Sequence, residues 1–287
     1  MFKYWLYKFG QFFVNRLPLS VSYKFAILLA DLKYYFSFRD RKIVQDNLKH
    51  ILPPGENVGV LAREVFRNFG KYLVEFFRIE KMVTQDFIDQ HVTIKNIEFI
   101  EQALEKGKGG ILLTAHLGNW ELGGALLSFL GYPITAIALP HKERPVNDLF
   151  NHQRVVRGIK VVPTHLAFKA CCDALEKNEL IALLADRDFG SKGKVLEFLG
   201  DKARIPKGAA LFAQETQAPI IPVFLTREED QHFTLSVGEP IMSLRNHEEL
   251  VAEGNTVRIM KKYTSVIENM IRRYPTQWLM FRGFRAS

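Results

Sequence analysis

An apolar run, Gly110-Ile111-Leu112-Leu113-Thr114, leads into Ala115-His116-Leu117-Gly118-Asn119-Trp120-Glu121 and then into Leu122-Gly123-Gly124-Ala125-Leu126-Leu127. The pattern predicts a buried strand ending at a histidine, a short turn, and a helix. Open α/β sheets place their ligands outside the carboxyl ends of strands, which is where such a histidine would sit. Residues five apart on one continuous helix point about 140° apart, because a helix turns about 100° per residue. His116 and Glu121 can therefore work together only if His116 precedes the regular helix. Gly118 supplies the turn and Asn119 the N-cap. Glu121 in the first helical turn gains from the helix dipole as a carboxylate. It would fix one nitrogen of the imidazole and leave the other as a base. On spacing alone, a capped helix with an exposed His and Glu fits equally well.

Apolar runs and helical patterns alternate further along. Strands are expected at Ile134–Ala138, Lys160–Val162, Ile181–Ala185, Ile220–Leu225 and Phe233–Val237. Helices are expected at Leu122–Leu130, Pro145–Arg157, Ala167–Glu176, Pro206–Thr216 and Val251–Tyr274. Residues 40–105 read as helical up to Phe87–Ile94, where the pattern becomes strand-like. The alternation argues for an α/β fold. At 287 residues the chain can bury one large core, and no repeat or linker marks a second independent domain.

Other chemistries find little support. Cys171 and Cys172 are adjacent, so neither a disulfide framework nor a Cys-x-x-Cys pair is possible. They read as helix residues with at least one buried. No Gly-x-Ser-x-Gly elbow and no His-Glu-x-x-His motif occurs. Gly107-Lys108-Gly109-Gly110 precedes a strand, which is the wrong order for a dinucleotide loop. The net charge of +8 implies an acidic partner. No zinc-finger or RNA-binding signature accompanies it, so an anionic membrane surface or acidic protein is favoured over nucleic acid.

The first 38 residues are strongly aromatic. Phe2, Tyr4, Trp5, Tyr7, Phe9, Phe12 and Phe13 are interleaved with Lys3, Lys8 and Arg16, and a second apolar run covers Val21 to Leu32. Neither contains the roughly 18 uninterrupted apolar residues of a spanning helix, and no cleavage site follows. Rings among cations suit a membrane interface; a pair of core-packing helices is the alternative.

The block around His116 resembles the His-x4-Asp/Glu motif of the lysophospholipid acyltransferase superfamily, and more closely the late acyltransferases of lipid A biosynthesis. Arg67-Asn68-Phe69-Gly70-Lys71-Tyr72, Asp186-Arg187-Asp188-Phe189-Gly190, Pro206-Lys207-Gly208-Ala209-Ala210, Pro219-Ile220-Ile221-Pro222-Val223 and Tyr274-Pro275-Thr276-Gln277-Trp278 resemble further blocks of that family in order. Branches that acylate mannosides carry Asp where this chain has Glu121, a slight lean towards the lipid A branch. The resemblance implies a central mixed sheet flanked by helices over 39–287. It also implies a membrane-associated helical segment over 1–38, at the cytoplasmic face of the inner membrane.

By the same resemblance, an arginine after the second strand binds a phosphate or the donor's phosphopantetheine arm. Arg157-Gly158 is the better match and Arg154 the other candidate; on charge pattern alone, a solvated helix face fits as well. Asp186 and Asp188, at a strand's carboxyl end, face the same edge as His116. They can pair with Arg157 or position the acceptor, with magnesium binding as the rival use; the resemblance favours Asp186. Arg204 and Lys207 flank Pro206, read as the first helical position, and form either an anion site or an ordinary helix start.

The implied reaction moves an acyl chain from a thioester, acyl carrier protein or acyl-CoA, to a hydroxyl of a lipid A precursor. His116 acts as base and Glu121 as its partner. No cofactor is retained and no metal is required. A transferase for another glycolipid or a lysophospholipid, a lipid hydrolase, and an inert lipid-binding protein are the alternatives.

Overall fold

The computed structural model describes residues 1–188, 192–243 and 252–286. Four helices come first: α1 (Phe2–Val14), α2 (Leu19–Phe36), α3 (Phe38–Lys49) and α4 (Val58–Phe77). Short helices α5 (Ile79–Met82) and α6 (Gln85–His91) lead into β1 (Val92–Lys95). After α7 (Glu98–Leu104) come β2 (Gly110–Thr114), α8 (Trp120–Phe129), β3 (Ile134–Ala138), α9 (Arg144–Val155), β4 (Lys160–Pro163), α10 (Ala167–Glu176) and β5 (Leu180–Leu184). A hairpin of β6 (Lys194–Phe198) and β7 (Asp201–Ile205) precedes α11 (Gly208–Thr216), β8 (Ile220–Arg227), β9 (Phe233–Val237) and α12 (Ala252–Arg273).

Among the described residues, seven strands form one sheet in the order β1-β9-β8-β2-β5-β3-β4. β2 is central and parallel to both β5 and β8, while β8 and β9 are antiparallel, so the sheet is mixed. Both faces of β2 are covered, which is why its sequence is apolar throughout. Its side chains alternate between two cores. Ile111 and Leu113 face one with Phe66, Phe198 and Tyr263; Leu112 faces the other with Phe76, Leu122 and Phe150. Because β2, β5 and β8 run parallel, their carboxyl ends share one edge. His116, Asp186 and Arg227 all lie there.

The expected strand at Phe87–Ile94 begins only at Val92. Thr84 accepts a hydrogen bond from the Phe87 amide at 3.2 Å and so starts a helix over Gln85–His91. α11 begins at Gly208, so Pro206 and Lys207 precede it rather than opening it. Val251, the expected first residue of the last helix, lies outside the described residues, as do Phe189 and Gly190. Cys171 is buried on α10 and Cys172 partly so.

The aromatic N-terminal segment forms α1 and α2, and each has two faces. On α2, Tyr23, Ala30 and Tyr34 are buried, while Phe25, Leu28, Leu29 and Leu32 are exposed. On α1, Tyr4, Tyr7 and Val14 pack on the core, while Trp5, Phe9 and Phe12 are exposed. Core packing thus accounts for one face of each helix, and the other face is apolar and exposed. Gly70 lets α2 lie close on α4: a Cβ there would meet the Ala26 carbonyl at 2.9 Å. Asp31 clamps the pair through Arg63 and Arg67, at 2.6 to 2.9 Å. Among the described residues no helix is long and apolar enough to cross a membrane.

Candidate active site

The chain leaves β2 at Thr114 and makes its turn at Gly118, whose φ is +62°. A Cβ at Gly118 would lie 2.0 Å from the Leu225 carbonyl, so only glycine fits. Asn119 caps α8, its side-chain oxygen accepting from the Leu122 amide at 3.0 Å. His116 thus stands before the regular helix, as the spacing requires.

The turn is held from outside. The Leu279 amide donates to the His116 carbonyl at 2.7 Å, the Gly118 amide to the Gln277 carbonyl at 3.0 Å, and the Asn119 amide to the Leu225 carbonyl at 2.9 Å. The His116 backbone is therefore gripped by β8 and by the segment around residue 278.

The acid on the imidazole is Asp186, where Glu121 was expected. Asp186 Oδ1 lies 2.8 Å from His116 Nδ1, and Oδ2 accepts from the His116 amide at 3.1 Å and from Trp278 Nε1 at 3.0 Å. The Asp186 side chain has no exposed surface, and that of His116 is 15% exposed. Burial alone would raise the Asp186 carboxyl. The adjacent imidazole and the hydrogen bonds from His116 and Trp278 outweigh burial and hold it below its usual value. An ionised carboxylate only accepts, so Nδ1 carries a proton, and the neutral ring has its lone pair on Nε2.

Glu121 takes a different partner. Arg154 Nε and Nη2 reach its two oxygens at 2.9 and 2.6 Å, while Arg154 Nη1 reaches Asn151 at 3.0 Å. Both side chains of this forked pair are mostly buried. Burial would lower the Arg154 guanidinium, but the charge and hydrogen bonds of Glu121 raise it instead. The physical reason for the exchange is direction. Glu121 on the first turn of α8 faces α9, whereas Asp186 leaves β5, the strand paired beside β2, next to the imidazole. Trp120 packs against the imidazole. Its ring meets His116 edge-on at 5.0 Å and stacks on Tyr72 at 4.6 Å.

The remaining expected residues scatter. Arg157 is not beside His116. Its Nη2 reaches the Ile79 carbonyl at 3.3 Å and also the Glu80 carbonyl, pinning the end of α9 to α5. Asp188 accepts from the Gly193 amide at 2.8 Å, and Arg204 reaches the Gly193 carbonyl at 3.3 Å, so both organise the base of the β6–β7 hairpin. Lys207 caps α11 without a side-chain hydrogen bond. Among the described residues no group of three His, Cys, Asp or Glu side chains converges as a metal site. Trp278, Glu75 and Arg227 are part of the site's construction but carry no role in the sequence reading. Trp278 stood only as the end of a family block, and an indole after a helix-ending Tyr-Pro gives no sign that it returns to residue 186.

The family model described as bacterial lipid A biosynthesis acyltransferase matches residues 1–284. A phosphatidylinositol mannoside acyltransferase of Mycolicibacterium smegmatis is 27% identical over 235 residues, covering 80% of this chain and 74% of the relative. A lipid A biosynthesis acyltransferase of Haemophilus influenzae is 32% identical over 130 residues, covering 45% of this chain and 41% of the relative. The crystal structure of the 1-acyl-sn-glycerophosphate acyltransferase from Thermotoga maritima overlaps with a TM-score of 0.36 at 16% identity, covering 84% of this chain and 97% of the other.

Proposed function

Because the chain belongs to the bacterial lipid A biosynthesis acyltransferase family, we propose that it acylates a hydroxyl of a lipid A precursor, with His116 as base and Asp186 as the acid that orients it. The observation that carries this reading is the His116–Asp186 pair at 2.8 Å, at the carboxyl edge of a parallel strand pair. His116 Nε2 removes the proton from the acceptor hydroxyl. The oxygen attacks the thioester carbonyl and a tetrahedral oxyanion forms. It collapses with cleavage of the carbon–sulfur bond, and the imidazolium returns its proton to the departing thiolate. Asp186 stabilises that imidazolium and is itself never protonated. The amides of Trp120 and Glu121 belong to the first turn of α8, where helix geometry provides no internal carbonyl, and they are suited to receive the oxyanion.

Glu121 holds Arg154 through a forked pair on the first turn of α8. Two of the five N–H groups of Arg154 point to Glu121 and one to Asn151. Arg157 directs its guanidinium to two backbone carbonyls, so Arg154 is the better candidate to bind a phosphate of donor or acceptor. Acyl carrier protein is the preferred donor, since an acidic protein complements a chain of net charge +8. The exposed faces of α1 and α2, with Lys3, Lys8 and Lys24 among their rings, would rest on the cytoplasmic face of an anionic inner membrane. An acceptor such as a phosphatidylinositol mannoside is the second reading, favoured by the coverage of the mycobacterial relative.

The test is one incubation of detergent-solubilised protein with labelled acyl–acyl carrier protein and a tetra-acylated lipid A precursor, beside His116→Ala. Labelled, more highly acylated lipid from wild type alone is expected. Labelled fatty acid released in place of lipid would mean a hydrolase. Equal product from both proteins would remove His116 from the chemistry. Transfer to a mannoside but not to the lipid A precursor would select the second reading.

A further inference from the structure

Behind the catalytic turn lies a second charged pair that the proposed chemistry does not use. Glu75 on α4 is completely buried, and Arg227 at the end of β8 nearly so. Arg227 Nε and Nη2 reach the two Glu75 oxygens, each at 2.7 Å. Two neutral donors complete the carboxylate: the Tyr23 hydroxyl on Oε1 at 2.6 Å and the Asn119 amide nitrogen on Oε2 at 2.7 Å.

A buried ion pair is weak grounds for stability, since apolar residues of similar volume often serve as well. Its geometry is more telling. Asn119 can offer its nitrogen to Glu75 and its oxygen to the Leu122 amide in only one orientation, and that orientation caps α8 three residues after His116. Arg227 supports the same turn from the other side. Its backbone N–H donates to the Gln277 side-chain oxygen at 2.9 Å and its carbonyl accepts from the Gln277 side-chain nitrogen at 2.7 Å, while the Gln277 backbone carbonyl accepts from Gly118. Asn68 accepts from Arg227 Nη1 at 3.1 Å and donates to the Thr276 carbonyl at 2.9 Å. Each of these branches leads to the turn that carries the base or to the segment that grips it.

One further branch ends on α2. Tyr23 lies on its buried face, opposite the exposed Phe25, Leu28, Leu29 and Leu32. A phenol burying its hydroxyl on a carboxylate registers how α2 sits on α4.

We propose that Glu75 is a positioning residue for His116, and that Tyr23, reaching its carboxylate from α2, is a necessary part of that network. The proposal rests on the reading of His116 as base. The experiment uses the full chain in detergent micelles and compares Tyr23→Phe and Glu75→Gln with Asp31→Asn, which weakens the α2–α4 clamp without touching the network. Acyl transfer and the ring ¹⁵N spectrum of His116 are both recorded. Tyr23→Phe removes one hydrogen bond to a charged acceptor. It is expected to lower kcat about tenfold, with KM for the acyl thioester within about twofold. In both network variants the ¹⁵N signature of a protonated Nδ1 broadens or mixes with the other tautomer. Asp31→Asn lowers Tm but keeps kcat within about twofold and an unchanged ring spectrum. Wild-type kcat and ring spectrum in Tyr23→Phe overturn the proposal even if Glu75→Gln fails to fold. An equal kcat loss in Asp31→Asn also overturns it, because loosening α2 anywhere would then suffice. A wild-type protein that transfers no acyl group refutes the functional reading, while the ring spectrum still decides the role of Glu75.

Discussion

Asp186→Asn replaces one oxygen with an NH₂ group and leaves the shape nearly unchanged. Three donors surround Asp186, and they decide which way the new amide turns. Oδ2 receives two of them, the His116 amide and Trp278 Nε1, and Oδ1 receives His116 Nδ1. The asparagine carbonyl will therefore turn towards the pair of donors, because the opposite flip sets its NH₂ against both. Its NH₂ then faces Nδ1, which must become an acceptor. The proton moves to Nε2 and the base is lost from the side where it is needed. An imidazolium formed at that ring would also lack its counter-charge. Losing both is expected to lower kcat by about 10³ to 10⁴, or about 4 to 5.5 kcal/mol in the barrier. The assay is steady-state transfer from a labelled acyl thioester at saturating donor, with ring ¹⁵N shifts of His116 reporting the tautomer. Glu121→Gln, measured in parallel, keeps an oxygen for Arg154 and should lose only about 10- to 100-fold. An Asp186→Asn enzyme within tenfold of wild type, beside a Glu121→Gln enzyme down 10³, would refute the reasoning and return the orienting role to Glu121.

Gly118→Ala should destabilise by about 3 kcal/mol or more, since it combines a positive φ with a Cβ 2.0 Å from the Leu225 carbonyl. Thermal melting should show a drop of at least about 6 °C, and a Tm within 2 °C of wild type, by about the same scale, would mean that the turn can relax. Arg157→Ala should lower Tm but leave kcat/KM within about threefold, whereas Arg154→Ala should cost at least tenfold; kinetics of the two variants that rank the other way would make Arg157 the phosphate ligand. Asp186 and Asp31 both titrate below the usual carboxylate range, Asp31 through hydrogen bonds from Arg67 and Arg63. A depressed carboxyl contributes stability that is complete above the unfolded value of about 3.9 and is lost as pH falls through the folded value. Urea midpoints should therefore fall below about pH 4, less steeply in Asp186→Asn, and an identical slope in wild type and variant would contradict this. Leu28→Glu with Leu29→Glu, on the exposed face of α2, should weaken sedimentation with anionic vesicles at unchanged Tm; undiminished binding would move the contact elsewhere.

The sheet was legible because its central strands are buried on both faces and therefore read as unbroken apolar runs between turns. The β6–β7 hairpin was not anticipated. Its two turn residues, Leu199 and Gly200, both have positive φ, the geometry of a tight hairpin. A leucine in that position conceals the usual Asn-Gly signal; the Leu199 amide is held instead by Glu268 on α12. At the site, local chemistry was readable: His116 ahead of the helix, Gly118 as the turn, Asn119 as the cap. The partner of His116 was not, because sequence spacing favours a carboxylate five residues away over one on the neighbouring strand. Register settles the matter, since Thr114 lies beside Leu184 and so brings Ala115-His116 level with Ala185-Asp186. Which of Arg154 and Arg157 meets Glu121 depends on where α9 ends: Arg154 is on its last turn and pairs with Glu121, while Arg157 lies just past the helix and anchors α5.

Trp278 and Leu279 bind Asp186 and the His116 backbone from the far end of the chain. Closing so long a loop is entropically costly and slow, and its contacts form only after the intervening elements have packed. The sheet and its helices can therefore be complete while His116 and Asp186 still lack the donors that fix them. A polypeptide clipped before residue 278 would keep much of its apolar core but lose the donors that grip the His116 turn and Asp186.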